Sequence, residues 1–141
     1  MILEVKSMLL SLLSKEEKNL FIDLAIELVS VDGKPTETEL AIIKKFKKEL
    51  GEDVAKYKKS NMTKEKLVEY FVKRPYPTKN LVYMNLVATS LNDDYYSVEE
   101  HLFLEKIQQS FEISEKKKNE LMKLVYSERD LRERVKRVIS E

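Results

Sequence analysis

The chain has 141 residues, of which 43% are apolar and 36% charged, and its formal net charge is +1. This length suits a single domain, and the near-neutral charge provides no field that would attract nucleic acid or anionic lipid. Because cysteine is absent, disulfides, thiolate metal ligands and cysteine nucleophiles are excluded. Two glycines and three prolines, among many Lys and Glu residues, favour helices over strands.

No segment approaches the roughly 18 consecutive apolar residues that a membrane-spanning helix needs. The N-terminal stretch, residues 1–13, carries acidic and basic residues within its apolar part and has no small-residue cleavage pattern. A signal peptide is therefore not expected. We expect a cytoplasmic protein that is not an integral membrane protein and does not bind nucleic acid.

The first predicted element is a short amphipathic helix over residues 3–13, packed on the rest of the bundle. A peripheral membrane anchor is the alternative, but Lys6 is the only cation on its polar face. Ser14 and Glu17 have the spacing of a capping box, which predicts a second helix that starts here and ends at Val31.

A sharp corner follows this helix. Gly33 can adopt the left-handed conformation that closes a helix. Thr36 and Glu39 form a predicted capping box that opens a third helix over residues 37–50. Asp32 lies at a helix C-terminus, where the helix dipole disfavours an anion. Either its carboxylate accepts nearby backbone amides, which is favoured, or it helps to hold a divalent cation.

The middle of the chain predicts two more helices and a linker. A short lysine-rich helix begins at Gly51 and ends near Ser60, and a helix over 64–73 is capped by Thr63 or Asn61. The segment 74–77 contains two prolines and predicts an extended linker between two halves of one domain.

The second half of the chain repeats the corner 61 residues later. Thr78 is predicted to cap a helix that ends at Leu91, and Ser97 with Glu100 forms a capping box that opens a helix ending near Phe111. When the two halves are aligned at this shift of 61 residues, four pairs of positions coincide: Asp32 with Asp93, Gly33 with Asp94, Thr36 with Ser97 and Glu39 with Glu100. The sequence therefore predicts two pseudo-repeated helical hairpins, at about 14–73 and 78–126.

Two further helices are predicted at the C-terminus. Ser114 opens the first, and Ser127 with Asp130 opens the second, over residues 128–139. The second carries an apolar stripe formed by Leu131, Val135, Val138 and Ile139. This stripe either packs on the bundle, which is favoured, or binds a partner helix. The predicted fold is all-α: a compact single-domain bundle of about seven to eight helices, covering residues 1–141.

The duplicated pattern of Asp-Gly, a short linker and Thr/Ser-x-x-Glu resembles the TerB tellurite-resistance family, including the TerB-like domain of some co-chaperones. The resemblance covers about residues 14–126, and its second motif departs from the family by having Asp94 in place of glycine. It implies a helical module of a tellurite or envelope stress system with a protein partner, either soluble or associated with the membrane. It also implies that acidic corner residues bind metal.

The candidate metal ligands are carboxylates at the two corners: Asp32, Glu39, Asp93, Asp94 and Glu100. Oxygen ligands of this kind select calcium, magnesium or manganese over softer ions. A calcium EF-hand loop is rejected because position 12 is Ile43 when counted from Asp32 and Leu104 when counted from Asp93. Capping alone also explains both glutamates.

No catalytic constellation stands out. His101 is the only histidine, so a zinc site has little support and a surface histidine is expected. Two glycines cannot build a phosphate-binding loop. We therefore expect a non-enzymatic binding or adaptor module without a certain cofactor. The alternatives are a metal-dependent enzyme that uses the acidic cluster, or a purely structural or oligomerising domain.

Overall fold

The computed structural model describes residues 7–33, 36–91 and 97–141, except for the side chains of residues 36 and 38. These residues form six α-helices and no strand, which confirms the all-α class. The helices are α1 (Lys15–Ser30), α2 (Thr36–Leu50), α3 (Lys64–Val72), α4 (Tyr76–Leu91), α5 (Val98–Ser110) and α6 (Glu115–Ser140). Two short 3₁₀ helices, Leu10–Leu12 and Gly51–Val54, complete the described part. The predicted number of seven to eight helices was therefore too high for this part of the chain.

Helix α1 lies at the centre of the bundle and packs against α2, α3, α4 and α5. Its apolar residues point in more than one direction, as expected for a helix that is surrounded by others. Seven of them are fully buried: Phe21, Ile22, Leu24, Ala25, Ile26, Leu28 and Val29. Phe21 meets Phe46 of α2 edge to face, with ring centroids 5.4 Å apart. Such pairs contribute roughly 0.5–1.5 kcal/mol beyond their buried area.

Four of the predicted helix starts are confirmed by hydrogen bonds. The Ser14 hydroxyl accepts from the Glu17 amide, and the Glu17 carboxylate accepts from the Ser14 amide, so this capping box is complete. The Thr63, Ser97 and Ser114 hydroxyls each accept from the amide three residues ahead. Each such cap stabilises its helix by about 1 kcal/mol.

The predicted helix over 3–13 is wrong for residues 7–13, which contain only the 3₁₀ helix at Leu10–Leu12; residues 1–6 lie outside the described part. The backbone N–H of Met8 donates to Asn85 Oδ1, and Asn85 Nδ2 donates to Met8 O, both at 2.8 Å. Leu9 then turns left-handed, with φ 60°. Because a side chain of α4 takes up these backbone groups, they are not available for helical hydrogen bonds.

Two predictions in the middle of the chain are also corrected. Helix α4 starts at Tyr76, so Pro77 lies in its first turn and Thr78 lies inside the helix. Proline fits there because the first amides of a helix have no intrahelical acceptor. The predicted lysine-rich helix shrinks to Gly51–Val54, and no α-helix forms between there and Lys64.

The two predicted C-terminal helices are one helix, α6, of 26 residues. Neither glycine nor proline interrupts it, and Arg132 Nη2 bridges back to Glu128 Oε2 at 2.7 Å, one turn earlier. Its first half packs on α4, with Val125 buried. Leu131 and Val138 are 58% and 62% exposed, so the bundle does not cover the apolar stripe, contrary to the favoured expectation.

Candidate functional site

The first corner, between α1 and α2, uses its glutamate within the fold. Gly33 has φ +80°, as predicted, and its amide donates to Ser30 O at 3.0 Å. The Ser30 hydroxyl, in the last turn of α1, donates to Glu39 Oε1, in the first turn of α2, at 2.8 Å. Asp32 is exposed at this corner.

The corner between α4 and α5 contains an equivalent contact. Glu100 is 0% exposed, and its carboxylate accepts a short hydrogen bond from the buried hydroxyl of Ser90. Each hairpin therefore has a serine near the end of one helix that donates to a glutamate in the first turn of the next. The sequence analysis missed Ser30 and Ser90. A small hydroxyl in the last turn before each acidic corner is the signal that could have found them.

The predicted metal site is described only in part. Asp93 and Asp94 lie outside the described residues, Asp32 is exposed, and Glu39 and Glu100 bind serines. Within 7–33, 36–91 and 97–141, no three potential His, Cys, Asp or Glu ligands come together. The five-residue site therefore stays a prediction. His101 is about half exposed, and its Nε2 lies 3.2 Å from Glu105 Oε1, one turn further along α5.

A groove runs between α3 and α5 and reaches the end of α1. Its volume is about 520 Å³. Apolar side chains from α3, from α5 and from the residue that follows α1 line it: Val31, Val68, Leu102, Phe103 and Ile107. Leu102 is 56% exposed, and a large apolar side chain at such a position leaves hydrophobic area in contact with water. The groove can therefore bury apolar groups of a ligand.

Charged side chains of both signs surround these apolar residues. Lys64 lies with its Nζ 5.6 Å from the centroid of the Phe103 ring, within cation–π range. Glu65, Glu99, Glu105 and Lys106 also line the groove. An apolar centre with a charged rim is the usual arrangement of a protein-binding surface.

The sequence analysis did not identify this groove, although α5 carries a sign of it. Phe103, Leu104 and Ile107 form the buried face of α5. Val98 and Leu102 lie on a different face and are exposed. A helix with one buried face does not need this second apolar set for its own packing. The second set was the available signal of a surface used for binding.

A buried polar cluster fixes the loop that leads into α3. Asp23 of α1 is 1% exposed and accepts hydrogen bonds from the Tyr57 hydroxyl and from the amide and hydroxyl of Ser60. Burial, and then the Asp23 carboxylate, raise the pKa of Tyr57 far above its ordinary value. Since α3 forms one wall of the groove, this cluster helps to position that wall.

An ion pair supports the same region from the other side. Lys18 Nζ donates to Asp53 Oδ2 at 2.6 Å, and this hydrogen bond lowers the pKa of Asp53. The Lys18 side chain is largely buried, whereas Asp53 is about half exposed. The bond joins α1 to the 3₁₀ helix Gly51–Val54 that follows α2. It is a structural contact outside the groove lining.

No family model, no curated protein and no solved structure matches this chain. Within the described ranges, no helix is long and apolar enough to cross a membrane.

Proposed function

We propose that this chain is a non-enzymatic binding module that holds an apolar segment of a protein partner in the groove between α3 and α5. The observation that carries the proposal is the part of the apolar lining that is left in contact with water, chiefly Leu102, with Val31 and Val68 half-buried beside it. Its volume of about 520 Å³ falls within the roughly 300–1,000 Å³ of typical ligand pockets.

The shape and chemistry of the groove favour a helical peptide over a small polar metabolite. Two helices form its walls, and an amphipathic helix can lay apolar side chains between them. The rim supplies both cations, such as Lys64 and Lys106, and anions, such as Glu65 and Glu99. Charges of both signs select orientation and register more than they add affinity.

A TerB-like role in a stress system is part of this proposal, and it rests on the corner motifs. The matching serine–glutamate contacts, Ser30 with Glu39 and Ser90 with Glu100, support a duplicated hairpin. In this proposal the partner belongs to a tellurite-type or envelope stress pathway and is associated with the membrane. The module itself acts as an adaptor in the cytoplasm.

The proposal is tested with fluorescein-labelled amphipathic helical peptides that carry apolar anchors at i, i+3, i+4 and i+7. Fluorescence anisotropy should show saturable binding for at least one peptide. Leu102→Glu should weaken that binding at least tenfold, because it places a charge in the groove. Leu40→Glu is the matched control: Leu40 is 59% exposed on α2, is absent from the lining and should leave binding unchanged. Equal effects of the two variants, or no binding by any peptide, would overturn the proposal.

A further inference from the structure

Between Leu124 and Ile139, α6 carries an apolar stripe that the bundle leaves open. Its five side chains are between 43% and 62% exposed: Leu124, Leu131, Val135, Val138 and Ile139. Four of them, with Arg134, line a shallow depression of about 320 Å³ on the surface of this helix. A contiguous apolar patch of this kind marks an interaction surface.

The spacing of the stripe is that of a helix–helix contact. Leu124, Leu131 and Val138 are seven residues apart, and Val135 follows Leu131 by four. Leu124, Leu131 and Val138 take the d positions of a heptad repeat and Val135 takes an a position, which face a partner helix in a coiled coil; the a position between Leu124 and Leu131 is Glu128. From Leu124 to Val138 the stripe is about 21 Å long at 1.5 Å per residue. The side of α6 that faces the bundle is marked by buried Val125 and by Arg132 and adjoins the stripe; Ile139 lies on that side, seven residues after Arg132.

From these observations we infer that the stripe binds the same stripe of a second copy of this chain, in an antiparallel pair. Leu131 lies midway between Leu124 and Val138. A two-fold axis at Leu131 therefore places Leu131 against its counterpart and Leu124 against Val138 of the other copy. Leu124, Leu131 and Val138 then pair with apolar side chains of the other copy, whereas Val135 faces Ser127 and Ile139 faces Lys123. A two-fold contact closes on itself without forming fibres.

The charges beside the stripe favour the antiparallel orientation. Asp130 and Arg134 lie on the same flank of α6, one turn apart. In an antiparallel pair the same flank of each helix faces that of the other. Asp130 then lies within about one turn of Arg134 of the other copy, and the contact occurs twice. In a parallel pair, the flank that carries Asp130 and Arg134 faces the opposite flank of the other helix, which carries Arg132 and Ile139. The two contacts between Asp130 and Arg134 of different copies are then absent.

The charge balance also favours a second copy over a lipid surface. The net charge of +1 causes little repulsion between copies. Membrane-surface helices have a polar face rich in Lys and Arg. Residues 128–139 contain five basic residues, but three acids, Glu128, Asp130 and Glu133, are interspersed among them. Because the seam is short, the dimer should be weak, with a Kd on the order of 10–100 µM. This inference is independent of the groove between α3 and α5.

Sedimentation equilibrium of the full chain between about 1 and about 1,000 µM, a tenfold margin on either side of that Kd range, tests the association. We expect a monomer–dimer equilibrium that Leu131→Glu shifts to monomer throughout. Leu40→Glu, on an equally exposed leucine of α2, should leave the equilibrium unchanged. Circular dichroism of both variants should match the parent chain. A chain that stays monomeric at every concentration would overturn the inference, whether or not it binds anionic vesicles. An unchanged monomer–dimer equilibrium in Leu131→Glu would overturn it too.

Cysteine pairing tests the orientation, since the chain has no cysteine of its own. Leu124→Cys and Val138→Cys proteins are oxidised alone and as a mixture. The antiparallel pair predicts a disulfide in the mixture only, between one copy of each. A disulfide that joins two copies of the same variant, with none between Leu124→Cys and Val138→Cys chains, would indicate a parallel pair. That result would overturn the two-fold arrangement.

A charge exchange tests the flanking contacts. Asp130→Arg should weaken the dimer at least threefold, and the double variant Asp130→Arg/Arg134→Asp should restore it because the reciprocal pairs re-form with opposite sign. Failure of the double variant to recover would contradict the proposed antiparallel flank contacts.

Discussion

The buried carboxylate of Asp23 should be among the most sensitive single positions in the fold. In Asp23→Ala the Tyr57 hydroxyl, on a side chain only 8% exposed, loses its acceptor, which costs about 2 kcal/mol. The Ser60 hydroxyl also loses its acceptor but is only partly buried, so that it adds about 1 kcal/mol. Removing a charge from the interior returns part of this cost. We expect a net loss of about 2–3 kcal/mol in the free energy of unfolding.

Urea unfolding followed by circular dichroism at 222 nm measures this loss. Asp23→Asn keeps an acceptor of the same size and should lose less, about 1–2 kcal/mol. Asp32→Ala is the control, because Asp32 is an exposed aspartate just beyond the same helix. Its effect should stay within about 0.5 kcal/mol. A loss below about 1 kcal/mol in Asp23→Ala would refute the view that this cluster holds the loop before α3.

Three further predictions concern the ion pair and the corners. The lowered pKa of Asp53 means that its bond to Lys18 stabilises the fold above the unfolded-state pKa of about 4 and is lost as pH falls through the lower folded value. Asp53→Asn should therefore destabilise the chain at pH 7 but approach the parent's stability near pH 2, and a constant difference would contradict this. Gly33→Ala should lower the free energy of unfolding by about 1 kcal/mol, because φ at this position is +80°, which a side chain disfavours. No atom lies within 4 Å of the added carbon, so the backbone conformation alone causes the loss. An unchanged free energy of unfolding in urea would argue against the left-handed conformation of Gly33. If the corners hold a divalent cation, calorimetric titration with calcium, magnesium or manganese should show saturable binding that Asp32→Asn and Asp93→Asn abolish, and no heat with any of the three would exclude the site.

The sequence predicted the local structure well wherever a short-range signal decided it. The caps at Ser14, Thr63, Ser97 and Ser114 and the turn at Gly33 depend on residues within three or four positions. Such interactions depend on neighbouring residues of the sequence, so most helix starts can be predicted from them.

One error arose where a distant residue decided the backbone, and two arose where a local signal has more than one meaning. The helix predicted over 3–13 has a helical apolar spacing, but Asn85, 77 positions away, binds the Met8 backbone. The start of α4 was placed after its prolines, although the first turn of a helix accepts proline. Ser127 resembled a cap but lies within the continuous helix α6. A capping pattern alone cannot tell a helix start from a surface position.

The candidate site was harder to predict than the fold. A metal site was predicted at the two corners because their acidic residues lie in recognisable motifs. Glu39 and Glu100, however, bind serines of the preceding helices. The groove has no motif, because Val31, Val68 and Leu102 come from three separate parts of the chain: the end of α1, α3 and α5. Only packing brings them together, and packing is not visible in a local pattern.

The central claim is that the groove between α3 and α5 is the binding surface. The most direct measurement is chemical-shift mapping of the ¹⁵N-labelled chain with the tightest-binding amphipathic peptide. We expect the largest shifts at the amides that line the groove, around Val31, Val68 and Leu102, and their loss in Leu102→Glu. Shifts concentrated at the acidic corners or along the second half of α6, with the groove unaffected, would contradict the account.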